Sequence, residues 1–180
     1  MTAPVAAVRS IFQLVTLGRL SLLAPSGAEE PSLATRRTKL ALLAYLAMQR
    51  RPVSRGALAT LLWGEKDEEK ARSSLSEALS HFRRVLGQDA IASYQSDVAL
   101  ETIARLVVDA ALLEAAARAH DHAQVVALYA GPFLDDVLVV NAPDWEQWAS
   151  RERLRLESLF VASCGAQCMA LARARRWPDC

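Results

Sequence analysis

The stretch Glu68–Leu86, EEKARSSLSEALSHFRRVL, decides the fold. Leu75, Ala78, Leu79, Phe82 and Leu86 recur at helical spacing and make one apolar stripe. At about 100° per residue, Ser73, Glu77, Ser80 and Arg84 fall on the opposite side, flanked by Lys70, Ser74, Ser76 and His81. That polar stripe is mostly short hydroxyls, with a basic residue towards each end. A helix lying in a DNA groove needs such a face, because small side chains allow close approach while Lys and Arg meet phosphate. An ordinary solvated helix also has a polar face, so the neighbouring segments carry the argument.

Upstream, residues 36–49 form a helix with Leu40, Leu43, Ala44 and Ala47 inward, broadened by Leu42 and Leu46. Thr35, Arg36, Arg37 and Lys39 cluster at its start, where cations oppose the helix dipole and point to an anionic partner such as phosphate. Ser54 is an N-cap for a second helix, Arg55–Trp63, and Gly64 closes it. Helix, short helix, turn and longer helix make the helix-turn-helix pattern, with residues 68–86 as recognition helix. Downstream, Gly87 stops that helix, and residues 90–94 and 97–101 read as a hairpin. Such a hairpin is a DNA-flanking wing, a core-closing element, or both. Ahead of these helices, residues 12–16 and 19–23 alternate towards strands, residues 24–32 are turn-rich, and Leu33–Thr35 reads as a short third strand.

The second half is helical. Asp109 caps a helix over 110–120, Asp121 caps another over 122–130, and the pair resembles one helical repeat unit. Gly131-Pro132 breaks the chain, and an apolar loop over 133–140 follows, with Asp135 and Asp136 as turn and cap residues. A long helix over 144–175 turns Trp145, Trp148, Leu156, Leu159 and Phe160 inward and leaves Arg151, Glu152, Arg153, Arg155 and Glu157 as a solvated face. Residues 176–179 read as the turn before one more helix, so the N-terminal part of a longer protein, or an unusually short member, is expected. The expected fold is mainly α with small β-sheets: a winged helix-turn-helix domain over 11–104, then a tetratricopeptide-like α-helical domain over 105–180.

The 180 residues are 52% hydrophobic and 23% charged, enough to bury a core. Net charge is only +1, but residues 1–105 hold 14 Lys and Arg against 10 Asp and Glu, whereas residues 106–180 hold 7 against 10. The basic excess therefore travels with the candidate DNA-reading half. The longest apolar run, 40–48, is far short of a membrane span, and a cytoplasmic protein with no membrane partner is expected. Cys164 and Cys168 stand i, i+4 on one helix with no further ligand near in sequence, so they read as free thiols with no metal or cofactor. No phosphate loop occurs, and His120, Asp121 and His122 assemble no nucleophile, base and orienting group, so no enzyme is expected.

The segment 36–87, RRTKLALLAYLAMQRRPVSRGALATLLWGEKDEEKARSSLSEALSHFRRVLG, resembles the winged helix of the SARP family of bacterial transcriptional activators. The marks are the basic start with its ALLAYLA helix, Val53-Ser54-Arg55, Leu61-Leu62-Trp63, and the close at Leu79–Gly87. Downstream, residues 129–135 (YAGPFLD), Asp144-Trp145-Glu146 with Trp148, and Arg151-Glu152-Arg153 look like the bacterial transcriptional activator domain that follows it in this family. The resemblance implies a four-stranded N-terminal sheet, three helices and a C-terminal hairpin wing. It also implies binding to double-stranded promoter DNA, often as two copies, and recruitment of RNA polymerase. Carried across, the reading positions are Arg72, Ser73, Ser76, Glu77, Ser80 and Arg84. The chain departs from the family at Glu77, an acid that can accept from a cytosine amino group, and in the wing, where residues 93–97 carry no basic residue.

These observations predict a DNA-binding transcriptional regulator. Lys70 flanks the reading face, and Arg36, Arg37, Lys39, Arg83 and Arg84 meet phosphates or polymerase. The helical domain serves dimerisation, partner binding or signal coupling. The rival is a protein-interaction module whose winged helix no longer binds DNA. A third reading places a small effector between the domains.

Overall fold

The structure is a computed structural model that describes residues 11–101 and 105–174. Two short strands, β1 (Phe12–Val15) and β2 (Ser21–Leu23), open it. Residues 33–35, expected as a third strand, lie instead in and just after a one-turn helix, α1 (Pro31–Ala34). Glu30 caps that turn by accepting from the Ser32 N–H, and Pro31, whose fixed φ suits a first helical position, starts it. Then come α2 (Arg37–Met48), β3 (Val53–Ser54), α3 (Arg55–Trp63) and α4 (Glu68–Leu86). Ser54 caps α3 through the Ala57 N–H, and Asp67 caps α4 through the Lys70 N–H. Gly87, at φ +112°, ends α4 in backbone space that other residues rarely enter. A hairpin of β4 (Ile91–Tyr94) and β5 (Asp97–Leu100) follows, then β6 (Leu106–Val108), α5 (Asp109–Arg118), α6 (His122–Leu128) and α7 (Pro143–Arg173). Of the connector or strand continuation expected over 102–108, residues 106–108 form β6, while 102–104 and the turn expected at 176–179 lie outside the described residues.

The strands make two small sheets, ordered β2-β1-β6 and β3-β5-β4. Where the resemblance implied four N-terminal strands, the first sheet has three among the described residues, and β1 takes β6 as a parallel neighbour. Three-residue β6 is too short to show an alternating pattern. The second sheet is the wing: β3 ties the start of α3 to β5, and the Arg55 N–H donates to the Ser96 carbonyl at the hairpin tip.

The α4 stripe, Leu75, Ala78, Leu79, Phe82 and Leu86, is buried, with α3 and β4 packed against the helix. Six residues of α2 are buried, Leu40 to Ala44 and Leu46, which makes α2 the centre of the first half. The fold is mainly helical with small sheets, a winged helix followed by a helical unit. Among the described residues no helix is long and apolar enough to cross a membrane.

The two halves are fastened together. Tyr45 of α2 sits edge-on to Trp148 of α7 at 4.7 Å, and Trp148 lies 5.0 Å from Trp145 and 5.9 Å from Phe133. Asp109 was expected to cap α5. Val108 holds the cap position instead, and the Asp109 carboxylate accepts from the N–H groups of Thr16, Leu17 and Ala110 and from the Thr16 hydroxyl. It thus fastens the end of β1 to the start of α5. Gly18 and Gly131 pass so closely that a Cβ on Gly131 would stand 2.9 Å from the Gly18 Cα. Asp136, expected as a turn residue, accepts from the Leu20 N–H and ion-pairs with Arg37. The expected solvated face of α7 is also partly engaged. Arg153 donates to the carbonyls of Phe133 and Leu134, and Arg155 pairs with Glu114 and Glu152.

Candidate nucleic-acid interface

The face of α4 turned away from the core presents Ser73, Ser76, Glu77 and Ser80, all exposed, with Arg84 near the C-terminal end. Its capped start brings Glu68 and Glu69 to the positive end of the helix dipole, and Arg83 and Arg84 to the negative end. Cations from other elements reach onto this face. Lys39 of α2 holds Glu77 Oε1 at 2.8 Å. Lys66, from the turn before α4, donates to the Ser74 hydroxyl at 3.0 Å, and Arg55 of α3 donates to the Ser76 hydroxyl at 3.1 Å. The start of α2, Trp63, Lys66, Ser74 and Glu77 line an open groove of about 400 Å³ beside α4. On the other side, Arg55, Gly56, Arg72, Leu75, Ser76 and Ser96 line a second of about 320 Å³ that reaches the wing tip.

The structure gives most of the nominated cations partners within the chain. Arg37 donates to the Leu20 and Asp136 carbonyls and pairs with the Asp136 carboxylate, so it fastens the two halves. Lys70 pairs with its own helix cap, Asp67, at 2.9 Å, and Arg72 pairs with Glu68 at 2.5 Å. Arg83 donates to the Ile91 carbonyl and, at 2.8 Å, to the Ser93 hydroxyl, bracing the wing against α4. Lys39 is taken by Glu77. Arg36 and Arg84 are exposed, and their side chains make no ion pair or hydrogen bond among the described residues. His81, expected at the groove or surface, is buried, with Nε2 3.0 Å from the Ser32 hydroxyl. The helical wheel puts it at the edge of the polar stripe, and α1, which was not foreseen as a helix, covers that edge.

Charge states follow from these contacts. The Lys39 hydrogen bond and charge pull the Glu77 carboxyl below its ordinary range, so it is ionised at neutral pH. Burial, followed by the nearby charges of Lys39, Arg36 and Arg84, lowers His81 from its ordinary 6.5 and keeps the imidazole neutral. Sequence reasoning passed over Arg55 and Lys66 as face residues. Arg55 sits at the first position of a capped helix, the same signal that drew attention to Arg36, whereas the reach of Lys66 to Ser74 depends on the turn geometry. Among the described residues no group of three or more His, Cys, Asp and Glu is arranged to hold a metal ion.

No family model matches the chain. No curated protein matches it either. Among solved structures it is similar to Mycobacterium tuberculosis EmbR in complex with a low-affinity phosphopeptide, with 24% identity and a TM-score of 0.58 over 95% of this chain. The chain spans about half, 51%, of that structure's chain, and the likeness establishes the shared winged-helix and helical architecture.

Proposed function

We propose that this chain is a DNA-binding transcriptional regulator acting in the cytoplasm, with α4 entering the major groove of promoter DNA. The observation that carries the proposal is the outward face of α4: a run of exposed serines flanked by long charged side chains, on the last helix of a helix-turn-helix that is braced by a wing. Ser73, Ser76 and Ser80 let the helix approach the base edges closely. Arg36, Arg84, Arg55 and Lys66 supply the charge that meets the duplex. The helical half, fastened to the back of α2 through Tyr45, Trp145 and Trp148, is suited to hold a second copy or RNA polymerase relative to the DNA. A protein-interaction module is the second reading. It is favoured by the number of cations spent within the chain, and by the peptide partner named for the EmbR complex.

Titration of the chain into fragments of its own upstream promoter, at low and at moderate salt, separates the two. Binding that weakens steeply with salt supports the regulator. No retention of any duplex at low salt leaves the interaction module.

A further inference from the structure

We infer that Glu77 and Arg84 are the two base-reading residues of α4, selecting cytosine and guanine about three base steps apart. The inference rests on the regulator reading above. The long side chains at the centre of the outward face are few. The apolar stripe is centred behind Phe82, and the residues most nearly opposite are Ser73, Glu77, Ser80 and Arg84. The two serines are too short to reach far into a groove, which leaves one carboxylate and one guanidinium.

Glu77 is 69% exposed, and only its Oε1 is engaged, by Lys39 at 2.8 Å. Lys39 is itself largely buried, with 12% side-chain exposure, so it arrives from a fixed base on α2 and orients the carboxylate. Oε2 is left as a pure acceptor. In the major groove the donors are the amino groups of cytosine and adenine; adenine sets its N7 acceptor beside that donor, and thymine presents an acceptor, so a carboxylate favours cytosine. Arg84 makes no ion pair, and its fork of donors matches the O6 and N7 acceptors of guanine. Seven residues of helix separate the two by about 10 Å. At about 3.4 Å per base step, that is about three steps for a helix lying along the groove. Lys39 is a positioning residue in this scheme: it touches Glu77 and does not itself read a base.

The test is selection of binding sites from a random duplex library by the full chain, followed by affinity measurements on the selected site and its single-base variants. The expected wild-type site holds a cytosine and a guanine about three steps apart, each preferred about 5- to 100-fold over the other bases. Glu77→Ala is expected to abolish the first preference and keep the second, Arg84→Ala the reverse, and Glu77→Gln to move the first preference to adenine. Lys39→Ala is expected to shrink the cytosine preference, and Lys39→Arg to restore it. Duplex that is retained with base preferences indifferent to Glu77 and Arg84 overturns the assignment while leaving the regulator standing. Retention of no duplex overturns both.

Discussion

The number of cations left for DNA fixes how steeply binding must respond to salt. Each cation delivered to a duplex changes the logarithm of affinity by about −0.9 per decade of salt. If all seven nominated cations reached DNA, the slope would be about −6. Five of them, however, are engaged within the chain: Arg37 with Asp136, Lys39 with Glu77, Lys70 with Asp67, Arg72 with Glu68, and Arg83 with the wing. Arg84 is set aside as a base reader, so Arg36, joined by the hydroxyl-bonded Arg55 and Lys66, leaves one to three, and the expected slope is about −1 to −3. Between 50 and 200 mM salt that is a loss of about 3- to 40-fold, against several thousand-fold for seven. The assay is fluorescence anisotropy on a labelled promoter duplex across that range. Arg36→Ala should flatten the slope by about 1, whereas Lys70→Ala with Arg72→Ala should leave it nearly unchanged. Glu77→Gln, which releases Lys39, should steepen it by about 1. A wild-type slope near −6, or an equal response to Arg36→Ala and to Lys70→Ala with Arg72→Ala, would refute the reasoning.

Three further outcomes follow from the contacts. Asp109→Ala strands the N–H groups of Thr16 and Leu17 and the buried Thr16 hydroxyl; urea unfolding should show a loss of about 2–5 kcal/mol, with Asp109→Asn between it and the wild type. Arg37→Ala should lower stability by about 1 kcal/mol and leave DNA affinity within about twofold, because its half-exposed pair with Asp136 is a fastener between halves; a large loss of affinity would return Arg37 to the DNA face. His81 is held neutral in the folded chain by burial and by Lys39, Arg36 and Arg84, so the unfolded chain takes up a proton at higher pH than the folded one. The contribution of His81 is therefore full above its ordinary 6.5 and falls away as pH drops below it; His81→Gln should remove that component from stability measured between pH 8 and 5.

What could be read from the residues alone was local. The bounds of α3 and α4 follow from Ser54, Gly64 and Gly87 together with unbroken helical spacing, and the structure places both helices over the expected residues. Trp145 and Trp148 were legible as inward residues, but their cluster with Tyr45 was not. The errors came where an element is too short for periodicity to speak. In α1 the useful signal was Pro31 after Glu30, a helix start, while Leu33–Thr35 imitates a strand. The partners of the site were hidden for a different reason: Lys39 and Glu77 stand 38 residues apart, and Arg37 and Asp136 stand 99 apart. Nothing local marks such pairs, and they decide which cations remain available.

The parallel pairing of β1 with β6 also sets an order in time. Thr16 and Asp109 are separated by 93 residues, so a chain emerging from the ribosome completes the whole helix-turn-helix before the carboxylate that β1 awaits has been made. At about 5–20 residues per second that interval is roughly 5–20 s, long compared with the microseconds a helix needs to form. The recognition helix is thus synthesised early, while β1 lacks its second neighbour until β6 and the first turn of α5 arrive. Closure of the first sheet is a late event, and it commits the winged helix and the start of the helical half to folding as one kinetic unit.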